Sequence, residues 1–257
     1  MNASVYEQLL RIVEQRGAGF IVLIDPDKLG LDRVPDFARR CVEAEVDALF
    51  VGGSLLHATE LGEYVERIKA ACDLPVIGFP GSLSQLSPAL DALLYLSVIS
   101  GRNPEYLIGQ HVSAAPLIRR LELEPISTGY MLVESGRSTT AQYMTGSEPL
   151  PRHKPDIAAA TALAGEMMGM KLIYADGGSG ADQPVPDELV AAVSEACSVP
   201  LAVGGGLSSP DEVHRKVLAG AQLVVIGDAI ENDPAGAYVS ELAAAVHGAR
   251  AAVEPSQ

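Results

Sequence analysis

The sequence predicts an α/β protein folded as a (β/α)8 TIM barrel, and three observations predict it. Eight short apolar runs recur along 257 residues, longer amphipathic runs separate most of them, and each apolar run ends at Gly, Asp, Glu or Ser. Near-continuous apolar strands alternating with helices imply parallel strands buried on both faces. Eight such units in a chain of this length match one barrel. An open doubly wound sheet would share the alternation, but no G-x-G-x-x-G turn follows the first strand. Residues 1–257 are therefore expected to form a single barrel domain with a short N-terminal helix before the first strand.

The elements follow in order. The opening MNASVYEQLLRIVEQRGAGF carries apolar residues at helical period, without the cationic start and cleavage site of a signal peptide. FIVLID is the first strand, with a helix over 32–45; DALFVGG is the second, with a helix over 58–72. PVIGFPG and LLYLSVIS are the third and fourth, the latter leading into a helix over 104–121. After the fifth strand, PISTGYMLVE, the segment 134–155 is long enough for an active-site loop, and a helix over 155–170 follows. KLIYADGG is the sixth strand, with a helix over 186–197. PLAVGGG and AQLVVIG complete the eight, with helices over 209–220 and 234–248 opened by the capping residues Ser209 and Asp233.

Composition narrows the function. With 48% hydrophobic residues the chain can bury a large core, and its net charge of −15 repels a polyanion, so no nucleic-acid partner is expected. No apolar run reaches the ~18 residues of a membrane span, and a cytoplasmic protein is expected. Cys41, Cys72 and Cys197 lack metal or disulfide spacing and read as buried thiols, and the five histidines form no ligand pair. Apolar helix faces predict a homo-oligomer.

Barrel active sites lie where strands end and loops begin. Asp25-Pro26-Asp27-Lys28 ends the first strand, Gly52-Gly53-Ser54 the second, Asp176-Gly177-Gly178-Ser179-Gly180 the sixth, Gly204-Gly205-Gly206 the seventh and Gly227-Asp228 the eighth. Glycine loops after strands seven and eight, each followed by a helix, form a concave array of N–H groups suited to phosphate. Asp25, Asp27 and Ser54 are hard oxygen ligands of the kind Mg²⁺ takes together with water and substrate phosphate. The spacing supports equally well an ordinary Asp-Pro turn capping the helix over 32–45.

Taken in order, DPDK, VGGS, SGRNPEYLIGQHV, LPRHKPDIAAATALAGEMMGMKLIY, GGSGA, VGGGL and IGDAIE resemble the geranylgeranylglyceryl phosphate synthases, over residues 20–231. The wider family includes bacterial heptaprenylglyceryl phosphate synthases. The resemblance implies transfer of a polyprenyl group from its diphosphate to the 3-hydroxyl of sn-glycerol 1-phosphate, with Mg²⁺ and release of diphosphate. It implies a metal site at Asp25 and Ser54, and a glycerol phosphate loop of Tyr174, Ala175, Asp176, Gly177, Gly178, Ser179 and Gly180. It places the phosphate cradle at Gly204, Gly205, Gly227 and Asp228. Asp176 would orient or deprotonate the glycerol hydroxyl. Lys28, Arg102, Arg137, Arg152 and Lys154 are the cations available to the diphosphate. Tyr95, Tyr106, Tyr130, Tyr143, Met131 and Met144 are candidates for a tail groove, and the lipid product implies transient contact with a membrane surface. Two departures stand out: YADGGSG where the family has YLEAGSG, and Gly227-Asp228 where it has Gly-Asn or Gly-Thr. A phosphate-binding isomerase or lyase of small-metabolite biosynthesis, or a non-catalytic barrel that binds polyprenyl phosphate, would use the same cradle.

Overall fold

The computed structural model describes residues 3–58, 61–230 and 237–249. Helix α1 (Val5–Arg16) opens with a capping box between Ser4 and Glu7, which satisfies N–H groups that the first turn leaves unpaired. There follow β1 (Gly19–Ile24), α2 (Val34–Glu43), β2 (Ala48–Gly53), α3 (Leu61–Lys69), β3 (Val76–Pro80) and β4 (Ala92–Val98). After them come α4 (Gln110–Arg120), β5 (Glu124–Leu132), α5 (Thr140–Thr145), α6 (Pro155–Met167), β6 (Leu172–Asp176) and α7 (Asp187–Ala196). The last elements are β7 (Leu201–Gly204), α8 (Pro210–Leu218), β8 (Leu223–Ile226) and α9 (Ala237–Gly248). The eight strands pair in chain order, and β8 pairs in parallel with β1 to close the barrel.

Strand alternation divides the core into two layers. On β1, Phe20, Val22 and Ile24 pack toward the surrounding helices, while Ile21 and Leu23 join the barrel interior. Val5 and Leu9 of α1 belong to the interior cluster, so this helix covers the end of the barrel where the strands begin. Glu124 fastens it there, accepting the N–H groups of Val5 and Tyr6 at 2.7 and 2.9 Å. With that end covered, substrates have the opposite rim, where the strands end.

The strands lie where the apolar runs predict them, and three connections depart from a regular (β/α)8 barrel. Between β3 and β4 there is only a single 3-10 turn, Leu83–Gln85, flanked by bends and a turn, so one of the eight βα units lacks its helix. A π turn, Glu105–Gly109, precedes α4. The loop 134–155 carries the short helix α5, capped by Thr139. Ser209 caps α8 as expected, and Asp233 lies outside the described residues. Cys41 is buried, which pushes its thiol up to about 12, whereas Cys72 and Cys197 are only half-buried. Among the described residues no helix is long and apolar enough to cross a membrane.

Candidate active site

Two cavities meet at the rim. The first is a polar cleft of about 1560 Å³, part of it open to solvent, over the ends of β1, β2 and β6–β8. Asp25, Lys28, Ser54, Asp176, Ser179 and Asp228 are among the side chains that line it. Residues from five strand ends thus converge on one space, as the strand-end rule predicts.

Asp176 closes β6 and is the buried acid of the cleft, with only 5% of its surface exposed. The Tyr130 hydroxyl donates to Oδ2 at 2.7 Å and the Gly178 N–H donates to Oδ1 at 2.8 Å. Burial raises its pKa above the ordinary carboxylate value, and these two donors partly offset that rise. Each carboxylate oxygen can accept two hydrogen bonds and here takes one from these donors, so the carboxylate keeps accepting capacity. Close packing around it explains two glycines. A Cβ on Gly205 would lie 2.4 Å from Asp176 Oδ1, and its φ of +76° is itself a region that side chains disfavour. A Cβ on Gly204 would lie 2.5 Å from the Tyr174 hydroxyl.

Asp228, just past β8, holds the open side. Its carboxylate accepts the Gly180 N–H at 2.8 Å and the Ser179 hydroxyl at 3.2 Å, and pairs with Lys28. Although burial opposes ionisation, these donors keep its pKa below the ordinary value. At the first strand end the two acids separate. Asp27 turns away from the cleft and accepts the N–H groups of His57 and Ala58 at 2.8 and 2.7 Å, so it caps the loop after β2 rather than helix α2. Asp25 accepts the Asp27 N–H through Oδ1, while its Oδ2 lies on the side of Gly53, next to Ser54.

The expected substrate residues are not all equivalent. Tyr174, Asp176, Ser179, Gly180, Gly205, Gly227 and Asp228 line the cleft. Gly177 and Gly178 lie buried beneath that surface, and the Gly177 N–H is used on the Gly204 carbonyl. Ala175 packs in the layer between strands and helices, because the residue after an inward-facing Tyr174 must point outward. Of the five cations, Lys28 and Arg137 line the cleft, and Arg137 is 3.5 Å from Asp182. Arg102 and Arg152 donate to loop carbonyls, and Lys154 is exposed just before α6. Tyr130 was legible only as an aromatic groove candidate; its partnership with Asp176 depends on the pairing of β5 with β6.

The second cavity is an apolar groove of about 870 Å³, including its open mouth, where the third crossover lacks a helix. Leu83 and Leu86 from that crossover, Leu96 from β4 and Ala114 from α4 form its walls. Tyr95, Tyr106, Tyr130 and Met144 reach it; Met131 is instead buried on the helix side of β5, and Tyr143 is 83% exposed. Cleft and groove share Gly53, Ser54 and Phe79.

Comparison with known proteins shows the family and agrees with the fold. The model of the PcrB family matches residues 10–246. The chain belongs to that family. It is similar to the geranylgeranylglyceryl phosphate synthase of Chitinophaga pinensis, 45% identical over 97% of this chain and 98% of that protein. The enzyme of the same name from Pyrococcus furiosus is 46% identical over 82% of this chain and 84% of its own. The crystal structure of (S)-3-O-geranylgeranylglyceryl phosphate synthase from Thermoplasma acidophilum, in complex with its substrate sn-glycerol-1-phosphate, superposes with a TM-score of 0.91 at 28% identity. That likeness covers 96% of this chain and all of the other.

Proposed function

We propose that this PcrB-family protein is a prenyltransferase that joins a polyprenyl group, geranylgeranyl in the first instance, to the 3-hydroxyl of sn-glycerol 1-phosphate and releases diphosphate, the step that begins an isoprenoid ether lipid. The observation that carries the reading is the junction of the two cavities. A polar cleft rich in glycine backbone opens directly into an apolar groove, and Ser54 and Phe79 lie at the boundary. A small phosphorylated alcohol fits the first and a hydrocarbon tail the second, which brings their reacting ends together at the rim. An isomerase or lyase of a sugar phosphate would have no use for the groove.

The chemistry follows from placement. The backbone of Gly205, Gly227 and Asp228 borders the place where the glycerol phosphate would sit, with Gly206 there in place of the expected Gly204, which is buried and does not line the cleft. Asp176, made more basic by burial, takes the proton of the glycerol hydroxyl as its oxygen attacks the allylic carbon. The carbon–oxygen bond to diphosphate breaks, and the bonding pair leaves with the diphosphate. Arg137 and Lys28 border the cleft and would face the departing charge, Lys28 once released from its pair with Asp228.

The donor set fits a magnesium ion shared with a phosphorylated substrate. Asp25 offers one carboxylate and Ser54 a hydroxyl, whereas Asp27 is spent on backbone N–H groups. No group of three or more His, Cys, Asp or Glu residues suited to a metal exists among the described residues, so the ion would depend on substrate oxygens and water for most of its shell. Bound there, Mg²⁺ would neutralise charge on the diphosphate leaving group. The reading includes a cytoplasmic homo-oligomer that touches a membrane surface when it releases product. Exposed Ile108, in the π turn before α4, and Val112, in the first turn of α4, offer apolar surface for association.

The test is the reaction itself. Purified protein, labelled sn-glycerol 1-phosphate and prenyl diphosphates of graded length should yield label extractable into organic solvent, and chelation of Mg²⁺ should abolish it. No extractable label with any chain length would refute the assignment, and full activity in chelator would refute the metal.

A further inference from the structure

The cleft already holds an anion of its own. Asp228 takes the Gly180 N–H and the Ser179 hydroxyl of the loop after β6 and pairs with Lys28 of the loop after β1. These are donors of the kind that bind phosphate: a backbone N–H in a glycine loop, a hydroxyl and an ammonium. All three residues line the polar cleft alongside the glycines after β7 and β8. A single N–H carries one hydrogen, so Gly180 serves either the carboxylate or an incoming phosphate oxygen at full strength. The carboxylate is also a like charge against that phosphate.

We propose that Asp228 is an internal competitor for the anion site: its carboxylate occupies donors that the substrate phosphate needs, and substrate binds by displacing it. Its carboxylate thereby weakens phosphate binding, although its backbone borders the site. Two observations support displacement over a fixed strut. The Asp228 side chain is 45% exposed, so it has solvent to turn into, and the Lys28 side chain is 40% exposed. The residue also follows Gly227 at the very end of β8, outside the strand ladder that would fix its backbone. This inference rests on the proposed phosphate site.

Asp228→Asn tests it, because Asn keeps an acceptor for Gly180 and Ser179 and removes the charge. Binding of inorganic phosphate and of sn-glycerol 1-phosphate to the wild-type protein, Asp228→Asn and Asp228→Ala would be measured by calorimetry, with thermal melts to confirm folding. A competitor predicts that both variants bind inorganic phosphate more tightly, by about tenfold for a like charge removed at a half-exposed site. A strut predicts unchanged binding for Asn and weaker binding for Ala, and that pattern would overturn the proposal. Wild-type turnover keeps the two readings apart. Extractable product with no tightening in either variant sinks the competitor alone. Tighter inorganic phosphate without any prenyl transfer sinks the prenyltransferase and leaves the competitor standing.

Discussion

On the side of β1 and β6–β8 the rim is made largely of backbone, with Gly205 and Gly206 turned into positive φ and side chains such as Asp176 and Asp228 held by neighbouring N–H groups. On the side of β3–β5 it is made of side chains, Leu83, Leu86, Leu96 and Tyr106, around the space that a third crossover helix would have filled. The first region gains its function by approach, because bare backbone is what a phosphate touches. The second gains it by omission, since a barrel strand without its covering helix leaves an apolar face for something else to cover. Perturbing each side should therefore affect a different substrate.

The largest effect belongs to Asp176. Asp176→Asn keeps shape and removes the base, and should lower kcat by about 10²-fold or more, the scale of a positioned general base. Asp176→Glu should keep substantial activity. If the residue only bound the Gly178 N–H, Asn would be tolerated and Glu would disturb the loop, so single-turnover rates of the two variants at saturating sn-glycerol 1-phosphate decide between the roles. Next in size is Gly205→Val. It places a branched side chain at positive φ against Asp176 and should raise the KM for sn-glycerol 1-phosphate by about tenfold or more. The KM for prenyl diphosphate should barely move. The converse variant is Leu86→Ala in the groove. Loss of about three carbons of apolar contact predicts a rise of roughly fivefold to tenfold in the prenyl diphosphate KM, at part of the ~0.8 kcal/mol per buried CH₂. Glycerol phosphate parameters should be unchanged. A Leu86 variant that weakened only glycerol phosphate would show that the two cavities had been given the wrong ligands.

The two sides were unequally legible in the sequence. Strands buried on both faces write themselves as apolar runs, which is why DALFVGG and KLIYADGG could be placed, and the strand-end rule then named the residues of the polar cleft. The groove left a weaker trace, because a missing helix is read only as a stretch without pattern between Gly81 and Leu90. Contacts made by distant segments left no trace at all. Asp27 looked equivalent to Asp25 until the loop at 57–58 came within hydrogen-bond reach. The pairing of Lys28 with Asp228 joins positions 200 residues apart that only barrel closure brings together.

Tyr130 is where the separation of the two sides should fail, and its effect should be the smallest. Its hydroxyl donates to Asp176 in the cleft, while its ring borders the groove and lies 6.2 Å from Phe79, which belongs to both cavities. Tyr130→Phe keeps the ring, so the prenyl diphosphate KM should hold. The lost hydrogen bond was one of the two that stabilise ionised Asp176 against the cost of burial, so the carboxyl pKa should rise further. The active form is the ionised one, and kcat should therefore fall off at a higher pH in the variant than in the parent. On the alkaline side of that limb the loss should stay below about tenfold, the scale of one hydrogen bond to a charged group. Linkage fixes a second sign. With a folded pKa raised above the unfolded value, protonated Asp176 favours the fold, and that contribution is lost as pH rises through the folded pKa. The variant, with a higher folded pKa, should carry the contribution to higher pH. A pH–rate profile and a melt series across the same range would check both, and an acid limb that stayed in place would show that Asp176 is not the group whose ionisation sets the rate.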